Sequence, residues 1–303
     1  MAIDLRGRTA IVTGAGQGLG RTHALMLASR GARVMVNDFG GARDGTGGAE
    51  GPAAAVAREI RERGGEALWD ASSVTDIEGV AGMVERARRE WGSVDILVAN
   101  AGVLRDKTFA KMTLEDFRFV LDVHLMGSVI CAKAVWDLMR EQAWGRIVFT
   151  TSSSGLYGNF GQSNYGAAKM GLVGLMQTLA LEGSKHNVRV NCLAPTAATR
   201  MTEDLMPPEV LAELKPERVS DGLLALVGDD APTRMILCAG AGGFEAAHVT
   251  LTQGVHVAEG PDAPDEVVRR LDEIRGRAGE MVPDSGQVQG AHELSKAAQS
   301  GRG

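Results

Sequence analysis

Cysteine is scarce in this chain of 303 residues: Cys131, Cys192 and Cys238 are the only three, widely spaced and without a CxxC pair. Neither a disulfide framework nor a zinc site is implied, and a reducing compartment is expected. None of the six histidines stands at ligand spacing from another histidine or a cysteine, so no catalytic metal is expected. Basic excess is missing as well, since 32 Lys and Arg face 38 Asp and Glu for a formal charge of −6. Surfaces that bind nucleic acid need clustered Lys and Arg, so no nucleic-acid partner is expected. The basic run RARRE at 86–90 lies among acidic residues and reads as the solvated face of an amphipathic helix. No stretch approaches the ~20 apolar residues of a membrane span, and the opening MAIDLRGR is too polar for a signal peptide. A soluble, cytoplasmic protein with no membrane partner is the expectation.

Glycine, by contrast, is plentiful at 40 residues, and 44% of the chain is apolar, enough for a large core. The segment TAIVTGAGQGLGRTHALMLASRGARVMVND reads as a strand (Arg8 to Val12), a glycine turn, a helix (Gly18 to Arg30) and a second strand (Ala32 to Asn37). In that βαβ unit Gly14, Gly18 and Gly20 let phosphate oxygens approach the backbone, and the following helix offers unpaired N–H groups at its positive end. Gln17 and Leu19 lie within the same turn. Asp38, at the end of the second strand, can accept from both hydroxyls of an adenosine ribose and would repel a 2′-phosphate. No basic residue compensates at Gln17, and Arg21 falls inside the first helical turn. NAD is therefore favoured over NADP.

The chemistry is carried by SSSGLYGNFGQSNYGAAK. Tyr165 and Lys169 are one helical step of four apart and share a face, and Ser152 precedes the tyrosine by thirteen residues. Two unit charges about 4 Å apart at an effective dielectric of about 20 attract by roughly 4 kcal/mol, enough to bring a phenol about three pKa units down, close to neutrality. A tyrosine so poised can exchange a proton with a substrate oxygen that the Ser152 hydroxyl also bonds. An isolated YxxxK would be an ordinary surface pair; the glycine turn and Asp38 are what give this one meaning.

Together TGAGQGLG, Asp38, ANAG at 99–102 and Ser152/Tyr165/Lys169 resemble the short-chain dehydrogenase/reductase family over about residues 5 to 240. Within it, NDFGG at 37–41, LRDKTFAKMTLEDF at 104–117, GLYGNFGQSNYGAAK at 155–169 and APTAATRMTEDLMP at 194–207 look like the (3R)-hydroxyacyl-CoA dehydrogenase branch found in peroxisomal multifunctional enzymes and their bacterial relatives. The resemblance implies an α/β fold, a Rossmann-type doubly wound parallel sheet. It implies that Ser152 orients the substrate oxygen, Tyr165 moves the proton and Lys169 also holds the nicotinamide ribose. Asn100, Ala101 and Gly102 would line the cofactor groove, Ser73 and Val74 would meet the adenine, and Pro195 with Ala197 to Arg200, Thr199 among them, would flank the nicotinamide. The substrate would be a 3-hydroxyacyl-CoA, with a hydroxysteroid or a CoA-linked steroid side chain as the alternative, and a 3-oxoacyl carrier-protein reductase less favoured. A silent NAD-binding sensor or scaffold is the reading from another class; intact Ser152, Tyr165 and Lys169 argue against it.

Three positions depart from the family pattern. His124 stands where most members have asparagine, and reads as a packed, hydrogen-bonded core residue on an apolar helix. Ser73 replaces an aspartate, and Thr196 a glycine. The loop GGARDGTGGAEG at 40–51, half glycine, reads as a mobile surface connection, although it could cover the adenosine end.

Further along, strands are expected at EALWDASSV, VDILVANAG, GRIVFTTSS and VRVNCLAP, with helices at 52–64, 76–91, 114–140 and Tyr165 to Gly183. Two more strands are expected near Met235 to Ala239 and near Ala247 to Leu251. Met201, Leu205 and Met206 are candidates for contact with an acyl chain, though such residues are more often plain packing. The catalytic domain is placed at 1–255 and a helical extension at 256–303, with one helix over 261–280 and a disordered tail of about twenty residues. Small residues on the catalytic helix (Gly166, Ala167, Ala168, Gly171, Gly174) could admit a second helix, and the resemblance implies a homodimer or homotetramer.

Overall fold

A computed structural model of the chain describes residues 3–48, 51–198 and 207–300. The expected Thr199 and Arg200 contacts to the nicotinamide, and Met201, Leu205 and Met206, lie outside the described residues. Two compact units emerge, 1–246 and 247–303, against the expected boundary at 255.

The first unit is a sheet with helices on its faces. In chain order it contains β1 (Thr9–Thr13), α1 (Gly18–Ser29), β2 (Arg33–Asn37), α2 (Gly51–Glu62), β3 (Ala67–Asp70), α3 (Ile77–Trp91), β4 (Ile96–Ala99), α4 (Leu114–Leu121), α5 (Gly127–Glu141), β5 (Gly145–Thr150), α6 (Ser153–Tyr157), α7 (Ser163–Gly183), β6 (Val188–Thr196), α8 (Pro208–Glu213), α9 (Pro216–Val227), β7 (Ile236–Gly240) and β8 (Gly243–Ala247). The strand order is β3-β2-β1-β4-β5-β6-β7-β8. The pairs from β3 through β7 are parallel, with Ile11 opposite Met35 on one side and Leu97 on the other. Strands of a parallel sheet are covered on both faces, and so β1, β4 and β5 are near-continuous apolar runs with no exposed position. Reversal of the winding on either side of β1 and β4 opens a crevice at the carboxyl ends of these strands.

Several strands end sooner than their sequence suggests, each for a local reason. After β3 the Asp70 carboxylate accepts from the Ser72 N–H at 2.9 Å and the Asn37 side chain at 3.0 Å, turning the chain. After β4 the N–H groups of Asn100 and Ala101 donate to Thr13 Oγ1, at 3.0 and 3.1 Å, instead of continuing the ladder. After β5 Ser152 caps α6, accepting from the Ser154 N–H at 3.2 Å. The final strand lies at Gly243–Ala247 rather than 247–251, beyond a two-residue turn in which Ala241 and Gly242 both have positive φ.

The expected helix over 114–140 is two α-helices joined through one π-helical turn, Asp122–Met126, which carries His124. Leu114–Glu141 is long and apolar enough to cross a membrane by length and composition, where the sequence suggested no such stretch; Val120, His124, Cys131, Val135 and Met139 along it are buried inside the protein.

In the second unit, Leu251 forms an antiparallel bridge with Met281, and three helices follow: α10 (Ala263–Arg269), α11 (Leu271–Ile274) and α12 (Gly286–Ser300). The expected single capped helix is broken at Arg270, whose guanidinium is held by Glu273 and the His256 carbonyl, and Asp262 makes no capping bond. The tail expected to be disordered is α12, tied down where His292 and Lys296 donate to the Gln253 carbonyl at 3.0 and 2.8 Å.

Candidate active site

The crevice holds a cavity of about 440 Å³ that runs from the glycine turn to Tyr165 and Lys169. At its nucleotide end, glycine is demanded by contact: a Cβ on Gly14, where φ is +63°, would lie 2.7 Å from the Ala101 backbone, and one on Gly20 would collide with the Gly14 carbonyl. Gln17 precedes α1 in an extended conformation and gives no side-chain cap to the first-turn N–H groups of Gly18, Leu19 and Gly20, residues that line the cavity. Asp38, one residue past β2, is fixed by two backbone donors: the Gly16 N–H bonds Oδ2 and the Gly40 N–H bonds Oδ1, each at 2.7 Å. An uncapped helix start and an immobilised carboxylate at this spacing fit a dinucleotide.

Gly14, Gln17, Gly18, Leu19, Gly20 and Asp38 line this end, with Ser73, Val74, Ala101 and Gly102 along the walls. Asn100 lines it too, yet its amide is spent inside the protein, donating to the Thr13 and Gly14 carbonyls at 3.0 and 3.2 Å. It braces the glycine turn. Pro195 reaches the cavity, whereas Ala197 is packed into the core and does not line it. Sequence reasoning passed over Thr13, which accepts from two successive N–H groups; its place just before the glycine turn was the available signal.

The other end of the cavity is assembled where α7 crosses the end of β5. Thr151 Oγ1 donates to the Lys169 carbonyl at 2.7 Å, and the Lys169 amine donates to the Thr150 carbonyl at 2.5 Å, so strand and helix are tied together beside Tyr165. The Lys169 Nζ lies 5.4 Å from the centre of the Tyr165 ring. Tyr165 is positioned by its own N–H, which donates to Asn164 Oδ1 at 2.7 Å, while the Asn164 amide donates to the Arg105 carbonyl at 3.2 Å.

The expectation of a phenol near neutrality does not hold. Burial pushes Tyr165 up to about 12, against the opposing pull of a hydrogen bond with Ser152, and Asp106 adds to the rise. Burial likewise brings Lys169 down to about 7. The four-residue step does bring the two groups together, but burial dominates the shift of each. Around neutral pH the tyrosine is a neutral donor and the lysine sits close to its titration midpoint.

His124 is packed, as its apolar surroundings suggested. Its Nε2 is 2.7 Å from the Val103 carbonyl, its ring stands edge-on to Tyr165 at 5.1 Å and 86°, and a Cβ on Gly102 would collide with it. Burial and the Lys169 charge hold its pKa well below the usual histidine range, so the imidazole is neutral. Its Nδ1 is buried without a partner. Among the described residues no group of three or more His, Cys, Asp or Glu could hold a metal.

The family model described as short chain dehydrogenase matches residues 8–209. A short-chain type dehydrogenase/reductase of Mycobacterium tuberculosis is 48% identical over 276 residues, covering 91% of this chain and 96% of that protein. The peroxisomal multifunctional enzyme type 2 of Drosophila melanogaster is 51% identical over 214 residues, 71% of this chain but only 35% of the enzyme. Its full-length structure superposes with a TM-score of 0.81 at 34% identity, covering 98% of this chain and 50% of that one. A 7α-hydroxysteroid dehydrogenase complexed with NADH and 7-oxo glycochenodeoxycholic acid superposes with a TM-score of 0.71 at 28% identity, covering 79% of this chain and 95% of that one.

Proposed function

The chain belongs to the short-chain dehydrogenase family, and on that premise we propose that it is an NAD-dependent enzyme interconverting (3R)-3-hydroxyacyl-CoA and 3-oxoacyl-CoA. The observation that carries this reading is a single groove lined at one end by Asp38 and the glycine turn and at the other by Tyr165 and Lys169. The resemblance to the dehydrogenase part of the multifunctional enzymes supports the acyl-CoA choice. A steroid is the second reading, favoured by the likeness to a hydroxysteroid dehydrogenase.

When bound, the nicotinamide supplies or takes up the hydride. Everything else falls to the chain. Ser152 Oγ donates a hydrogen bond to the substrate oxygen, and the Tyr165 hydroxyl passes its proton to that oxygen or receives one from it. A neutral tyrosine held near 12 is a proton donor at neutral pH, which suits delivery to a ketone. The reverse direction needs phenolate, and a protonated Lys169 alongside favours it. NAD over NADP is supported by the Asp38 carboxylate, which its two backbone donors hold in place against a 2′-phosphate. Arg21 is no help to such a phosphate, because Glu59 holds it through three hydrogen bonds of 2.7 to 3.1 Å.

Rates with (3R)- and (3S)-hydroxyacyl-CoA esters and a 17β-hydroxysteroid, each with NAD and NADP, test the reading. The (3R) ester with NAD is expected to be fastest. Failure of all three substrates rejects the substrate assignment and leaves the chemistry standing. Asp38→Ser is expected to move the NAD/NADP preference towards NADP by about tenfold, the worth of one charged hydrogen bond; an unchanged ratio removes Asp38 from the cofactor site.

A homodimer or homotetramer is part of the same proposal. Two of the small residues on α7 are used within the chain, Gly166 against the Ser154 carbonyl and Gly171 against Leu125, but Gly174 has nothing within 4 Å. Between α5 and α7 a shallow apolar cleft is lined by Trp136, Leu175 and Leu179. Light scattering after size-exclusion chromatography tests association, and a monomer at micromolar concentration refutes it.

A further inference from the structure

The glycine-rich segment after β2 is ordered where the sequence suggested a mobile connection. It folds on itself: the Ala42 N–H donates to the Thr46 carbonyl at 2.8 Å, the Gly45 N–H to the Ala42 carbonyl at 3.0 Å, and Thr46 bonds the Asp44 carboxylate through both N–H and hydroxyl. Its root is the Asp38 carboxylate, which holds the Gly40 N–H. Its far side is attached beyond β4. The Leu104 N–H donates to the Arg43 carbonyl at 3.0 Å and the Arg105 guanidinium to the Asp44 carbonyl at 3.1 Å. Gly45, at φ +85°, rests on Phe119, where an added Cβ would come within 2.6 Å of the ring, and Arg105 stacks on that same ring at 3.9 Å.

The strand order gives this attachment its meaning. In the sheet β1 lies between β2 and β4, and all three are parallel, so a link from the end of β2 to residues just past β4 must cross the end of β1. That end carries the glycine turn and the uncapped start of α1. Phe39, Gly41, Ala42, Arg43 and Gly45 accordingly line the groove together with Gly14 and Gly18. Two hydrogen bonds and one ring contact are a light attachment, and segments with few buried contacts are those that open below the energy of global unfolding.

We propose that residues 39–48 are a strap that closes across the dinucleotide by docking on Phe119 and Arg105, and that its release sets the rate at which cofactor leaves. This rests on the proposed dinucleotide site. Because Gly45 is the docking point, its lack of a side chain is a requirement of closure.

The test is stopped-flow displacement of NADH, followed by its fluorescence, for the parent, Gly45→Val, Phe119→Ala and, as a control outside the strap, Gly82→Ala on α3, where an added Cβ meets nothing within 4 Å. Dissociation is expected to speed up at least tenfold for the first two variants and to stay within twofold of the parent for Gly82→Ala. A second readout needs no turnover: saturating NADH is expected to slow tryptic cleavage after Arg43 in the parent and to lose that protection in Gly45→Val, with melting temperatures confirming that each variant is folded. Equal dissociation rates in parent, Gly45→Val and Phe119→Ala, or cleavage indifferent to NADH, overturn the strap while leaving the cofactor reading intact. Failure of the parent to bind NADH at all overturns both.

Discussion

Near its first residue β5 buries the Arg146 guanidinium, and at its other end it presents Thr150, its last residue, and then Ser152, with Lys169 set against them. Both ends put a cationic group out of water, yet they differ in what surrounds it. Arg146 donates to the carbonyls of Gly228, Gly145, Asn187 and Asp229 at 2.8 to 2.9 Å and stacks on Trp144 at 4.1 Å. Every face of the fork is used. Lys169, at the other end, makes one hydrogen bond among the described residues, Thr150 Oγ1 makes none, and His124 Nδ1 makes none. A buried charge with its valences filled holds the fold together; one left short of partners is held ready for something that arrives. Burial alone would not have told these ends apart.

Four substitutions or conditions can break that contrast. The largest effect is expected from Tyr165→Phe at the open end: kcat/KM should fall about 10³- to 10⁴-fold, as for loss of a general acid, while urea unfolding stays near the parent. Parental hydride transfer to any alcohol would show that the open end is not the chemical one. Arg146→Met should do the opposite, costing about 3 kcal/mol of stability because the buried Gly145 and Gly228 carbonyls and the half-buried ones of Asn187 and Asp229 lose their donor, with kcat per folded molecule unchanged. A stable variant with a lowered kcat would reverse the assignment of the two ends. Ser152→Ala should lower kcat about 10²-fold, the usual loss for one donor to the reacting oxygen, and leave NADH affinity alone.

His23 lies between the extremes and gives the smallest effect. Its Nδ1 is 2.8 Å from the Ser220 hydroxyl, its Nε2 is buried without a partner, and burial brings its pKa down to about 3 from 6.5. The unfolded chain therefore takes up the proton first as pH falls. The contribution of a neutral His23 is complete above about pH 6.5 and is lost on going towards pH 3, by about 2 kcal/mol at pH 5. His124 shifts in the same direction, so the quantity to measure is the difference in acid sensitivity between parent and His23→Gln. Parallel curves from pH 7 to pH 5 would mean that His23 finds a partner when charged.

What could be read in advance follows the kind of force involved. The glycine turn, Asp38 and the Tyr165–Lys169 step depend on local spacing, and local spacing is what a sequence displays. Strand and helix types came from periodicity and were recovered, but their ends depend on side chains reaching back to the backbone, as Asp70 and Thr13 do, and these moved. Ala197 was expected at the nicotinamide and is packed in the core, because neighbours in sequence after β6 need not share a direction. The tyrosine's pKa was missed for a different reason: desolvation is a property of the whole fold around a group and has no motif. Likewise a cover over the adenosine end was open as a reading of the glycine-rich loop, but its attachment beyond β4, across the end of β1, depends on strand order.

The π turn at Asp122–Met126 has one more effect. A π turn takes up one residue more than the α-helix it interrupts, so side chains after it are rotated by roughly 100° relative to those before it. The two halves of Leu114–Glu141 are thus out of phase, α4 turning towards α7 while α5 lies along α3 and the sheet. Deleting a single residue there would restore an unbroken helix while swinging either the histidine or the whole of α5 away from its present face.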